Sequence, residues 1–357
     1  VTTLTELFGG GDSALTADTT LGFFSSQTFT IPVTSRVRSW QWGGGASGGA
    51  VNGTAGCAGG GGGGEFAYMD WGVLAAGTVV TLTIGAGGAA VTQGSAGALA
   101  GNAGGDTSIA VGGVTITTKG GAAGQASTTA SITAAAGGTS GTGTATFRQA
   151  GGPGGLATYV AATLRATGGG SAGWVRGSFK GGDITTSAAS SICTGGGGVG
   201  GNGGSVTGSN TTAGTGGGGS SGPATDNSST GGPARSGFVN LNATQPRYDE
   251  SGAVATAGLW LGPLQFTGPG GYGTIAAAGT RGDGGVCGGG GGGLGTGANG
   301  GGTGGSPGGS GAGGGGCPSL SAGLGGPGAG GGGNALNGSA TSGAGGQGFA
   351  LLEMVPV

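Results

Sequence analysis

The sequence predicts a mainly β protein with packed polyglycine II helices and almost no α-helix. Three observations predict it. Gly supplies 109 of the 357 residues, against about 7% in ordinary usage. It comes in runs such as Gly59–Gly64 and Gly288–Gly293. Between the runs lie short segments that alternate apolar and polar residues, the period-two pattern of half-buried strands, and no stretch sustains an apolar period of 3.6 residues.

Residues 1–27 read as an N-terminal arm. Leu7, Phe8, Phe23 and Phe24 are its large apolar side chains. They either pack on the arm's own domain or bury themselves on another protein. The rest, 28–357, reads as one glycine-rich domain. Thr28–Pro32 alternates with Phe29 and Ile31 on one face, and Pro32 ends or edges that strand. Arg36–Trp42 is strand-like and runs into Gly43. Glu65–Trp71 follows a six-Gly run. Val79–Ile84 alternates behind an Ala76-Gly77 turn, Val111–Thr118 is a further candidate, and Phe349–Val355 is a terminal strand.

The glycine tracts need their own account. At 301–314, Gly302, Gly305, Gly308, Gly311 and Gly314 recur every third residue. A left-handed extended helix has three residues per turn, so this period leaves one bare backbone stripe. Such stripes approach until Cα–H groups meet carbonyls, at roughly 0.5–1 kcal/mol per contact. The helix has no internal hydrogen bonds, so its N–H groups must pair with neighbours. A packed array follows. Collagen is excluded, because it needs a strict G-X-Y period and much Pro, whereas Pro is 11 of 357. Disorder fits poorly with a net charge of −2 and a mean hydropathy of +0.13.

Charge bounds the chemistry. There are 10 basic residues, 12 acidic residues and no His. General acid/base catalysis needs positioned titratable groups, so no catalytic residue is expected. The one adjacent acidic pair, Asp249-Glu250, points apart on an extended chain. No basic patch predicts a nucleic-acid partner, and no apolar run predicts membrane insertion. Cys57, Cys193, Cys287 and Cys317 show no CxxC spacing; buried free thiols are expected, with the disulfide state open, and no metal or cofactor is expected.

The order of elements carries a resemblance. A strand pair leads into a Gly run and Gly-Gly-Gly-Glu65-Phe66-Ala67-Tyr68; a hairpin closes on Val80-Thr81-Leu82-Thr83-Ile84-Gly85-Ala86-Gly87-Gly88. Gly101-Asn102-Ala103-Gly104-Gly105-Asp106-Thr107-Ser108-Ile109 continues it, and Gly345–Glu353 ends it. This resembles the glycine-rich domain of bacteriophage tail and adhesin proteins, over about residues 28–357. The resemblance implies a β-rich base, a sandwich of polyglycine II helices, and variable loops at one end touching the host surface.

The expected function is therefore a phage virion protein, a tail fibre or tip adhesin. The alternatives are a virion structural decoration without a receptor and an ice-binding protein. Virion attachment falls to Leu7, Phe8, Phe23 and Phe24. Host-surface binding falls to two inserts less rich in Gly. Segment 237–271 carries Arg247, Tyr248, Asp249, Trp260 and Phe266; it reads either as a capping subdomain with Trp260 and Phe266 in a local core or as a sugar or protein-loop site, with stacking faces beside polar groups. Segment 145–192 carries Trp174 and Arg176, together with Arg148, Tyr159, Arg165 and Lys180. The two readings of its basic groups are a weakly positive face for an anionic surface and unpartnered, solvated side chains. The expected partners are other virion proteins and a host glycan or outer-surface protein, with homo-oligomerisation open. The expected location is the virion, assembled in the host cytoplasm.

Overall fold

The computed structural model describes residues 18–174, 177–209, 214–218, 223–227, 313–316 and 322–357, and the backbone of two short strands at 239–240 and 247–248. Its strands are β1 (Thr19–Phe23), β2 (Gln27–Thr30), β3 (Ser35–Trp42), β4 (Ala50–Asn52), β5 (Gly56–Ala58), β6 (Phe66–Leu74) and β7 (Val79–Thr83). Then come β8 (Thr92–Gln93), β9 (Gly97–Leu99), β10 (Thr107–Val111), β11 (Val114–Thr118), β12 (Ala126–Ser127), β13 (Phe147–Gln149) and β14 (Leu164–Ala166). The last are β15 (Ile192–Cys193), β16 (Val239–Asn240), β17 (Arg247–Tyr248), β18 (Asn334–Leu336), β19 (Ala340–Thr341) and β20 (Phe349–Pro356). No helix occurs among the described residues.

Two antiparallel sheets form the base. One has the order β1-β20-β3-β6-β13, the other β11-β10-β7-β2. The alternation seen in the sequence turns Phe29, Val80, Leu82, Ile109 and Val111 inward against Val37, Ala350, Leu352 and Met354. In β6, Val37 faces Gly72 while Arg38 faces Asp70, so Trp71 is the extra residue of a bulge. Trp71 packs against this core, and its Nε1 donates to Ser39 Oγ at 2.9 Å.

The other face of the first sheet carries Trp40, Trp42, Phe66, Phe349 and Leu351, covered by Ala172, Trp174 and Val199 from the glycine tracts. β3 runs from this aromatic core straight into Gly43. The sandwich and the array are therefore joined by both chain continuity and packing.

The array follows from hydrogen bonding with a period of three. Gly43, Ala46 and Gly49 donate to the carbonyls of Glu65, Gly62 and Gly59. Gly44 and Ser47 donate to Gly105 and Asn102, and Gly45 and Gly48 donate to Gly346 and Gly343. Three successive residues thus serve three different neighbours. The same tract accepts from three more: Gly121 and Gly124 bond the carbonyls of Gly44 and Ser47, Gly88 that of Gly45, and Gly331 that of Ala46. Six tracts surround one, a hexagonal packing of polyglycine II helices with three residues per turn. Backbone groups that lack an internal partner are satisfied sideways.

Close approach explains the glycine. A Cβ on Gly45 would overlap the Ala329 carbonyl, and one on Gly63 the Ser171 carbonyl. Side chains appear where a neighbour leaves room, as at the buried Ala46 and Ser47.

The structure revises two local expectations. Val111–Thr118 is not one strand. Gly112 and Gly113 have φ of +55° and +85°, the positive values of a two-residue hairpin turn, and β10 pairs with β11 across it. Phe23 and Phe24, candidates for virion attachment, follow the other reading of the arm and lie on their own domain. β1 pairs with β20, which puts Phe23 in the sandwich core, edge-on to Phe29 at 6.0 Å. Phe24 stacks on Phe349 at 5.9 Å. Leu7 and Phe8 lie outside the described residues, as does the tract with Gly every third residue up to 312.

Candidate functional site at the loop-bearing end of the array

The tracts have two distinct ends. At one end they join the sandwich: Gly43 follows β3, Gly85 lies just past β7, Lys119 follows β11, and Glu65 and Gly348 precede β6 and β20. At the other end they open into short loops, among them 52–56, 93–97, 127–131, 158–163, 185–191 and 336–339. These loops are tied to one another. Gly338 N donates to Asn52 Oδ1 at 3.0 Å, Gly53 N to the Leu336 carbonyl at 3.1 Å, and Tyr159 N to Ser131 Oγ at 2.8 Å.

Residues 154–174, 177–209 and 214–218 build one flank of this end by repetition. Thr167 precedes three glycines and Thr194 and Thr215 precede four each, and all three threonines are fully buried. Thr167 Oγ1 donates to the Gly155 carbonyl at 2.7 Å and accepts from Gly60 N at 3.1 Å. Thr194 bridges Gly182 and Gly168 in the same way, and Thr215 bridges Gly204 and Gly195. Single bridges run from Ile132 to Ala157, on to Ile184 and on to Val206. A small apolar core of Cys57, Ile132, Ala157, Ile184, Ile192 and Val206 lies beneath, with Tyr159 half-buried on it. Much of the segment read as an insert at 145–192 therefore runs inside the array.

Arg165 sits at the centre of this flank and is fully buried. Its guanidinium donates to the carbonyls of Thr158 at 2.6 Å, Thr186 at 2.7 Å and Ala188 at 2.8 Å. It clamps the loops 158–163 and 185–191 together. None of the ion pairs among the described residues includes it. Burial lowers its pKa, yet an arginine stays charged in proteins. Facing it in the neighbouring strand, the buried Cys57 thiol is pushed up to about 11 by loss of solvent. It is therefore inert as a nucleophile at neutral pH.

The other basic groups described in segment 145–192 are partnered. Arg148 bonds Glu65 at 3.1 Å and the Thr117 and Thr142 carbonyls, and Lys180 pairs with Asp183. At the sandwich, Arg36 and Arg38 engage Asp70 and Glu353, and Lys119 engages Asp106. The loops around Tyr159, at 125–134, 156–163 and 184–192, contain no charged residue.

The expected binding residues fare differently. Trp174 is 3% exposed and stacks on Trp42 at 5.1 Å; it completes the aromatic core and offers no face to an outside ligand. Arg247 and Tyr248 form β17, paired with β16. Arg176, Asp249, Trp260 and Phe266 lie outside the described residues. Of the expected host-surface residues, the structure thus describes Trp174 and the backbone of Arg247 and Tyr248. The residues it does assemble, Tyr159 and the hydroxyl-bearing loops beside it, carry a signal in the sequence: Ser/Thr/Ala loops set between recurrences of Thr-Gly-Gly-Gly.

Among the described residues, no group of His, Cys, Asp and Glu is arranged to hold a metal, and no helix is long and apolar enough to cross a membrane. No curated protein matches the chain. The profile of a glycine-rich domain matches residues 19–244, beginning where β1 begins and covering more than half of the sequence, and the chain belongs to that glycine-rich domain family.

Proposed function

We propose that this chain is a bacteriophage virion protein, an adhesin at the tip of a tail fibre that contacts the host cell surface through loops held on a polyglycine lattice. One observation carries the reading: among the described residues, six loops without a charged side chain, 52–56, 93–97, 127–131, 158–163, 185–191 and 336–339, gather at one end of a stiff backbone lattice, while the sandwich, with its ion pairs, occupies the other. A lattice bonded laterally in six directions holds loops in place without a large aliphatic core. In this reading the sandwich end faces other virion proteins and the loop end faces a host glycan or outer-surface protein. The protein works by binding and carries out no catalysis. It is assembled in the host cytoplasm and acts on the extracellular particle.

Antibody labelling of native particles under the electron microscope tests this. Label at a tail or fibre tip is the expected result. Label spread over the head or tail shaft would overturn adhesion in favour of a structural decoration, and particles without label would overturn the virion setting.

A further inference from the structure

We infer that the loops around Tyr159 form a binding platform for an uncharged carbohydrate, with the Tyr159 ring as its stacking face. The inference rests on the adhesin reading and adds the ligand class. The bridges from Ile132 to Ala157 to Ile184 set three loops side by side, with the Tyr159 loop in the middle. Thr129 and Ser131 are exposed on one side, and Thr185 and Ser187 on the other. A sugar ring has an apolar C–H face and a rim of hydroxyls. One aromatic face flanked by hydroxyl donors and acceptors matches that division.

Charge decides between ligand classes. An anionic polymer needs cations, and Arg165, the cation nearest these loops, is fully buried with three carbonyls on its guanidinium. Protein interfaces draw their affinity from clustered Trp, Tyr and Arg anchors, whereas these loops offer one aromatic among Ser, Thr and Ala. A neutral saccharide asks for neither. The platform is also pre-formed. Arg165 ties the Tyr159 loop to the loop 185–191, and Ala162, at the tip of the Tyr159 loop, holds a φ of +58°. Ordering costs on binding are thereby reduced.

The test uses the full-length chain, fluorescently labelled, on a panel of bacterial cells that are untreated, periodate-oxidised or protease-treated. Soluble dextran and mannan, and anionic polygalacturonate, serve as competitors. Binding is expected to survive protease and high salt, to be lost after periodate, and to be competed by a neutral polymer. Tyr159→Ala should weaken binding about tenfold, the order expected for one lost aromatic stack. Tyr159→Phe should retain it and melt as the parent does, and Tyr159→Ala, which loses packing on the core beneath, should melt lower but remain folded at the binding temperature. Binding that survives periodate but not protease would overturn the carbohydrate assignment and leave adhesion standing. So would competition by polygalacturonate alone, or an unchanged Tyr159→Ala. Absence of binding to every cell type would overturn the adhesin reading itself.

Discussion

Trp42 lies flat on Phe349, with ring centroids 4.1 Å apart and planes 10° apart, and its Nε1 donates to the Gly173 carbonyl at 2.9 Å. One side chain thus joins the terminal strand to the glycine lattice. Phe66 at 4.8 Å and Trp174 at 5.1 Å complete its surroundings. Trp42→Ala should lose about 3–5 kcal/mol, the usual cost of deleting a buried large aromatic. Trp42→Phe should lose less, keeping the stack and dropping the hydrogen bond. Denaturant unfolding of both variants measures this, and equal losses would mean that stacking adds little at the junction.

Backbone proximity makes a second prediction. A side chain on Gly45 meets the Ala329 backbone, which cannot swing aside, whereas a Cβ on Gly94 meets nothing within 4 Å. Gly45→Val should prevent folding or cost several times the loss typical of a point mutant, about 1 kcal/mol. Gly94→Ala should leave the melting temperature unchanged or slightly raised, because it restricts the unfolded chain. Comparable melting curves for the two would refute the close-packed lattice.

The strands were legible in the sequence where side chains carry a pattern. Phe29 and Ile31, then Val80 and Leu82, alternate with Thr and so declare both strand and inner face. β20 was legible as well. β1 was not, because Thr19–Phe23 is short and its pairing with β20 spans almost the whole chain. The lattice was legible as a type of structure and illegible as an arrangement. A glycine has no side chain to specify its neighbour, so nothing in Gly43–Gly49 names Gly105 or Gly346 as partners. The loop end was half legible. Arg165 and Tyr159 stood out as exceptions in a glycine-rich segment, but burial of the one and placement of the other depend on the Thr167, Thr194 and Thr215 ladder.

Ala162 offers a test of stored strain. Its φ of +58° lies in the left-handed region, which costs a residue with a Cβ about 1–2 kcal/mol. Ala162→Gly removes that cost and adds about 0.4–1 kcal/mol of unfolded-state freedom. The net expectation is stabilisation by about 0.5–1 kcal/mol, read as a higher melting temperature. Destabilisation would show that the Ala162 methyl contributes packing that outweighs the strain.

Arg165→Met should act the other way. The thioether fills part of the space but leaves the Thr158, Thr186 and Ala188 carbonyls without their donor. The bond to Thr186 is buried and those to Thr158 and Ala188 are partly so; losing a donor to a buried acceptor costs about 1–3 kcal/mol, so relief from burying a charge is outweighed, and a loss of about 3 kcal/mol is expected. Hydrogen exchange should localise it, with faster exchange in 158–163 and 185–191 and little change in β3 or β20. Uniform acceleration across the chain would mean that Arg165 supports the whole fold instead of its loops.

Acid should weaken the sandwich through Asp70. The Arg36 guanidinium, 2.7 Å from Asp70 Oδ2, holds this carboxyl below its ordinary range by hydrogen bonding, and Gly72 N adds a bond at 3.0 Å. A carboxylate whose pKa is depressed by folding contributes stability above its unfolded pKa of about 3.9. That stability is lost as pH falls through the folded value. Melting temperatures measured from about pH 6 downward should therefore drop below about pH 4. Asp70→Asn should melt lower than the parent at neutral pH and show a shallower acid decline. Parallel curves for parent and variant would mean that the Arg36–Asp70 pair is too screened by solvent to matter.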